Sequence, residues 1–555
     1  MVLVLALALI GALPVALAAL AESASPFAGS TSTAAFPPPD VTATLYDSYF
    51  PDESQVGFPG ATPTGAEPEA IATAPAASLN FDTYPVIVPS SQYTTSGPAF
   101  NPMYHWGNLG PWYSVGGAFG LPNTSPQIPD GCELEQVHLL FRHGARYPTA
   151  GEAPSVLAAA LHKVAQTTGF TASGPLEFLN TWTYTLGQEL LTPFGREQPF
   201  QLGVGFRVKY GRLLDKFTSI PVFRTTSMDM RSVQIEWWLR CKSNFAAGFF
   251  GIPQYLTSYH EEIIIEATGY NNTLAPYDTC TDSNNGVGGT IGDYASGNWT
   301  QIYLKKTTER LQQYLTGFTL TPDYVYAMQA LCSYETVSLG YSQFCGLFTE
   351  EEWRGFEYSI DLSFWYGQGP GNPNAAARGV GYVQELLARL TKTPLTTFDT
   401  TLNSTLDGNS ITFPLDQPIY ADATHDVVIA TIITALNFTS MAAGGPLPWD
   451  HIPVDHTYHV QHFAAYASNL VGQVVSCPAS TDSIKETFIR FLLNDGAVPL
   501  TGIAHCEAEN EDGLCPLANF IEGLKERVAE IDFDYDCYGN YTIPTPDTIV
   551  NGRMI

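Results

Sequence analysis

The sequence predicts an α/β fold, a core sheet flanked by helices with a smaller, mainly α-helical inserted domain. Apolar runs of strand length recur along the chain, stretches with helical spacing alternate with them, and tandem repeats are absent. The chain has 555 residues, 45% hydrophobic and 12% aromatic, enough to bury a large core. Residues 134–141 read as a buried strand, and 220–224, 263–266, 419–423 and 470–476 as further strands. Residues 155–167, 376–391, 427–436 and 485–493 carry helical spacing. Helix-like stretches dominate 169–348, which places the insertion there. The core then comprises 104–168 and 349–545, with the strands at 220–226 and 262–267.

Before this core lie two segments of different character. Residues 1–22 resemble a signal peptide, although no Lys or Arg precedes the apolar run, which is also long enough to anchor in a bilayer if uncleaved. Residues 23–103 are rich in Ala, Pro, Ser, Thr and Gly and bury too little to offset their ordering entropy, so they read as a flexible low-complexity leader. The net charge of −30 repels nucleic acid and anionic membranes, which excludes them as partners. Sequons at Asn123, Asn271, Asn298, Asn403, Asn437 and Asn540 fit an exported chain, secreted or held in a cell wall. Nine cysteines in such a chain suggest four disulfides and one thiol, with the pairing left open by sequence.

Directly after the strand at 134–141 stands Arg142-His143-Gly144-Ala145-Arg146-Tyr147-Pro148-Thr149. Guanidinium groups bind phosphate oxygens bidentately and stay charged at any working pH, so Arg142 and Arg146 could clamp a phosphoryl group beside His143. Gly144 would permit a close backbone approach. Late in the chain, Ala421-Asp422-Ala423-Thr424-His425-Asp426 follows a strand-like run and precedes an apolar helix. Phe223-Arg224-Thr225-Thr226-Ser227 ends another strand, with Trp106-Gly107-Asn108-Leu109 and Gly371-Asn372-Pro373 as further landmarks.

These motifs, in this order, resemble the histidine acid phosphatase family, the branch of the histidine phosphatases that includes fungal phytases. The resemblance spans residues 104–540. It implies a phosphoglycerate-mutase-like core and a catalytic pair of His143 as nucleophile and Asp426 as proton donor. Phosphate would be bound by Arg142, Arg146, Arg224 and His425, with no cofactor and no metal. It also implies the disulfides Cys132–Cys477, Cys280–Cys537, Cys332–Cys345 and Cys506–Cys515, leaving Cys241 in a stretch where about six residues look inserted. His143 must be neutral to attack, and neighbouring arginines would keep it so. Asp426, with a modest upward pKa shift, would set an acid optimum at roughly pH 3–6.

The implied activity is that of a monomeric acid phosphatase acting on small phosphomonoesters. Phytase is the alternative, because Leu362-Ser363-Phe364 lacks the lysine pair with which family phytases hold inositol phosphates. Tyr466 also stands where related chains often have arginine. A non-catalytic cell-wall glycoprotein and a mutase-like phosphotransferase are the competing classes. His456, His459 and His462 could share a helical face and bind a metal, but Pro453 and the β-compatible residues around them favour a solvated loop.

Overall fold

A computed structural model gives the structure of residues 100–189, 191–228, 239–283, 287–478, 485–506, 511–544 and 547–554. The expected signal segment and nearly all of the leader lie outside the described residues. The strands are β1 (Glu133–Arg142), β2 (Thr171–Ala172), β3 (Val222–Met228), β4 (His260–Glu266), β5 (Leu315–Thr316), β6 (Ile419–Thr424), β7 (Asn469–Pro478), β8 (Lys485–Leu493), β9 (Gly496–Val498) and β10 (Cys515–Pro516). The principal helices are α1 (Ala153–Ala165), α2 (Pro193–Tyr210), α3 (Leu239–Phe250), α4 (Val287–Tyr303), α5 (Pro322–Leu339), α6 (Glu350–Gly367), α7 (Ala375–Thr391), α8 (Asp426–Ala435), α9 (Val460–Ala464) and α10 (Leu517–Glu530).

Eight strands form one mixed sheet in the order β10-β8-β7-β1-β6-β3-β4, with β9 paired to β8. β1, β6, β3 and β4 run parallel, whereas β7 lies antiparallel on the other side of β1. The carboxyl ends of the parallel strands therefore share an edge with the start of β7, the place where open α/β sheets bind ligands. Both faces of the sheet are covered, so its central strands read as continuous apolar runs without alternation. On one face Val137, Leu139, Phe141 and Phe223 pack against Phe206 and Tyr210 of α2 and Phe245 and Phe249 of α3. On the other, Leu140, Leu470 and Val474 join Val428, Ile429 and Ile432 of α8. Helices α2 and α3 thus serve the sheet although they lie within 169–348. Helices α4 and α6 pack together beyond it, where Trp299 Nε1 donates to Gly355 O at 2.8 Å.

Residues 485–493, expected as a helix, form β8. Nine residues with apolar positions at Phe488, Ile489, Phe491, Leu492 and Leu493 satisfy either period, and pairing with β7 along the whole length decides between them. Arg490 sits inside this strand, fully buried, and donates to Gln473 Oε1 at 2.8 Å and Ser125 O at 3.2 Å. All four implied disulfides are present. Among the sequons, Asn123 and Asn540 are exposed. Asn271 spends its amide nitrogen on Thr400 O (3.1 Å) and Leu402 O (2.9 Å), and a glycan there would remove one of these bonds. No helix among the described residues is long and apolar enough to cross a membrane.

Candidate active site

The loop after β1 is held between β6 and the approach to β7. Arg142 N donates to Ser468 O (2.8 Å), His143 N to Thr424 O (3.2 Å), and Ala467 N to His143 O (3.0 Å). A Cβ on Gly144 would stand 1.9 Å from Gly195 O, so glycine is required for the start of α2 to close on this loop. Thr192 caps α2 through Gly195 N and donates its own N–H to Ala145 O at 2.9 Å.

The His143 ring is buried and its Nδ1 lies 2.8 Å from Gly144 O. A carbonyl only accepts, so Nδ1 carries the hydrogen and Nε2 the lone pair. Burial, then Arg142, Arg146 and His425, push this imidazole well below its ordinary pKa, against the opposing pull of Asp426. These influences favour the neutral form of the ring. Burial is the larger cause, ahead of the arginines that sequence reasoning credited.

His425 follows β6 and Asp426 opens α8, so this doublet arrives on the same edge as His143, with the two imidazole centroids 5.6 Å apart. Asp426 Oδ2 accepts from Asn108 Nδ2 (2.8 Å) and pairs with Arg142 Nη2 (2.7 Å), and Oδ1 accepts from Val427 N (2.9 Å). Burial raises its pKa, but Arg142, His143, the Asn108 hydrogen bond and Arg146 outweigh that and hold it at about 2. This reverses the upward shift expected from sequence, because the carboxylate is wrapped in donors.

Arg142 is fully buried beneath Tyr466, whose ring centroid is 4.4 Å from its Cζ. Its Nη1 donates to Asn108 O and to Ala464 O (2.7 Å), while Nε has no hydrogen-bond partner. Tyr466, a departure from the family pattern, thus stacks on the cation. Arg146 donates through Nη1 to Thr149 Oγ1 (2.9 Å) and Glu189 Oε2 (3.0 Å), and its side chain is one-fifth exposed.

Arg224 is not at this site. Its guanidinium is fully buried and donates through Nη1 and Nη2 to both oxygens of Glu385 (2.8 and 2.6 Å) and through Nε to Asp422 Oδ1 (2.8 Å). Asp422 also takes Arg389 Nη1 at 2.6 Å, and Asp407 lies 3.6 Å from Arg224 Nη1. Arg224 stands in register with Asp422 on the neighbouring strand, and inside the covered sheet its guanidinium is committed to the carboxylates of Asp422 and Glu385. The expectation that Arg224 binds phosphate is corrected accordingly.

Sequence reading overlooked Glu266, the last residue of β4, whose Oε1 lies 2.9 Å from His425 Nε2. Its position at the end of a strand-like run on a parallel sheet was the available signal. Asn108 lay within a motif noted for resemblance, without a role. His456 and His459, expected on a solvated loop, are instead part-buried with Asp361.

A neutral buried imidazole flanked by two arginines, with a carboxyl arriving from a distant helix start, has the parts of a histidine-based phosphoryl-transfer site. The model of the histidine phosphatase superfamily, branch 2, matches residues 133–494. Phytase A of Aspergillus oryzae is 34% identical over 433 residues, covering 76% of this chain and 87% of that protein. Phytase A of Neurospora crassa is 31% identical over 476 residues, covering 76% and 89%. The crystal structure of the phytase from D. castellii superposes with a TM-score of 0.63 at 25% identity, covering 84% of this chain and 93% of that one. The chain belongs to branch 2 of the histidine phosphatase superfamily. It is a hydrolase of phosphoric monoesters of the histidine acid phosphatase kind.

Proposed function

We propose that this protein is an exported phytase that releases phosphate from inositol hexakisphosphate through a phosphohistidine on His143. The observation that carries the substrate is the set of relatives named Phytase A, 31–34% identical over 76% of the chain. They move the reading from a broad acid phosphatase towards phytase, despite the missing lysine pair at 362–364, where Leu362 and Phe364 are core residues.

His143 Nε2 attacks phosphorus in line as the P–O bond to the inositol breaks, so one hard displacement becomes two easier ones. Arg146, with Nε and Nη2 not engaged by hydrogen bonds among the described residues, meets the equatorial oxygens, and Arg142 supports them from beneath. Asp426 protonates the departing oxygen, then takes a proton from the water that attacks the phosphohistidine and releases phosphate. With its pKa at about 2, Asp426 is ionised in the free enzyme at pH 4–6, so the proton it donates enters with the substrate. A phosphate monoester with a second pKa of about 6 carries that proton as its monoanion. Activity confined to acid pH follows from the substrate's protonation.

Phosphate release from phytate and from nitrophenyl phosphate, compared across pH 2–8, tests this reading. A higher kcat/KM for phytate is expected. A clear preference for nitrophenyl phosphate would return the protein to the broad acid phosphatase class, which Glu189 beside Arg146 and Glu266 beside His425 would then explain by repelling a polyanion.

A further inference from the structure

Behind the segment that carries Ala464 and Tyr466, two histidines and one carboxylate converge. His456 Nε2 lies 3.3 Å from Asp361 Oδ2, and His459 Nδ1 lies 3.8 Å from the same oxygen. One ligand atom from each residue falls within 4.8 Å of the others. Asp361, on α6, is fully buried, His456 is one-tenth exposed and His459 about a quarter.

Hydrogen bonding explains these distances poorly. His456 Nδ1 lies 3.3 Å from Pro453 O, a pure acceptor, so Nδ1 holds a hydrogen and Nε2 is the atom turned towards Asp361 Oδ2. The other oxygen of Asp361 already accepts from Val460 N at 2.8 Å. His459 Nδ1 is buried without a hydrogen-bond partner, although Glu357 Oε1 stands 3.5 Å away. The imidazole–carboxylate contacts of 3.3, 3.5 and 3.8 Å are all longer than the ~2.7–2.9 Å of a charge-assisted hydrogen bond. Four ligands at about 2.0–2.1 Å around zinc are themselves roughly 3.3–3.5 Å apart, which matches the shorter contact and approaches the longer one.

We infer that Asp361, His456 and His459 form a binding site for a divalent transition metal of the zinc class. Two imidazoles and a carboxylate supply three ligands, and water or Glu357 completes a tetrahedron. The contacts of Pro453 O and Val460 N already orient His456 and Asp361, as outer-shell partners do in metal sites. The site is remote from the chemistry in sequence but joined to it in structure. His459 is the cap residue of α9, whose last residue, Ala464, receives Arg142 Nη1. A metal here fixes the segment on which the active-site arginine rests.

The test uses the whole protein, stripped with a chelator and titrated with Zn²⁺ at pH 7 in phosphate-free buffer, with bound metal counted by equilibrium dialysis. Among the described residues a second cluster, His505 with Glu522 and Glu526, is exposed, so the titration is made on a His505→Ala background. One zinc per chain and a higher unfolding midpoint with zinc than without support the site. Absence of stoichiometric zinc on that background overturns it. Adding His459→Gln, at a position exposed enough to tolerate the change, should weaken binding by at least ~10–100-fold, the range lost on removing even an outer-shell partner. Retention of full affinity by that variant also overturns the assignment.

Discussion

Replacing Arg224 with alanine separates the structural reading of this residue from the one its motif suggested. The substitution leaves Glu385 fully buried with Thr273 Oγ1 as its remaining side-chain donor at 2.8 Å, while Asp422 keeps Arg389. Breaking a buried pair by deleting one partner costs about 3–5 kcal/mol, because the survivor's charge stays desolvated. At ~1.4 kcal/mol per tenfold, the unfolded fraction should rise roughly a hundred- to a few-thousand-fold. Urea unfolding of wild type and Arg224→Ala, with inhibition by inorganic phosphate measured where both are folded, reads the two roles apart. The expected result is a large loss of midpoint with the phosphate inhibition constant little changed. Arg146→Ala should do the reverse, since its guanidinium is only partly committed to protein groups. An Arg224→Ala protein of wild-type stability whose phosphate inhibition is tenfold weaker would refute the argument.

His143→Ala should abolish turnover, and acid quenching should trap labelled phosphate on wild type but not on the variant. Asp426→Asn should slow hydrolysis of poor leaving groups by ~10²–10⁴-fold and of nitrophenyl phosphate much less, and equal losses for both would remove the proton-donor role. Wild-type kcat/KM should fall as pH rises above about 6, as the substrate monoanion disappears, and a flat profile to pH 8 would contradict delivery of the proton by substrate. Glu335 is pushed up from 4.5 to about 7 by burial, against hydrogen bonds from Ser342 and Trp182. Its stabilising contribution is therefore fully present below pH 4.5 and lost as pH rises through 7. Glu335→Gln should accordingly unfold like wild type at about pH 4 but be more stable by about 3 kcal/mol at about pH 8.5, and an equal effect at both pH values would sink the assignment.

The parts of the fold legible in the sequence were those whose burial is locally uniform. β1, β6 and β7 lie under helices on both faces and announced themselves as apolar runs, and the loop bearing His143 followed directly from β1. β8 was misread because a nine-residue apolar segment does not choose its period without its neighbours. In the site, Arg142, His143 and the His425-Asp426 doublet were readable because they are contiguous or flank a strand. Register was not readable. Arg224 lies opposite Asp422 only through the pairing of β3 with β6, and that pairing consumes its guanidinium. The downward shift of Asp426 was equally hidden, since it depends on Asn108, contributed by a segment far away in the chain.

The bridge between Cys132 and Cys477 joins residues 345 apart. The first of these cysteines stands just before β1 and the second lies within β7, so the central strand of the sheet is synthesised long before either of its neighbours. Throughout that interval Val137, Leu139 and Phe141 have no adjacent strands to cover them, and the exposed backbone edge invites association with other chains. Neither the nucleophile's cradle nor its proton donor can form until β6 and the lead-in to β7 have emerged. The nascent chain therefore stays inert and vulnerable until late in its synthesis, and premature termination before the lead-in to β7 forfeits both the cradle of the nucleophile and the bridge to Cys477.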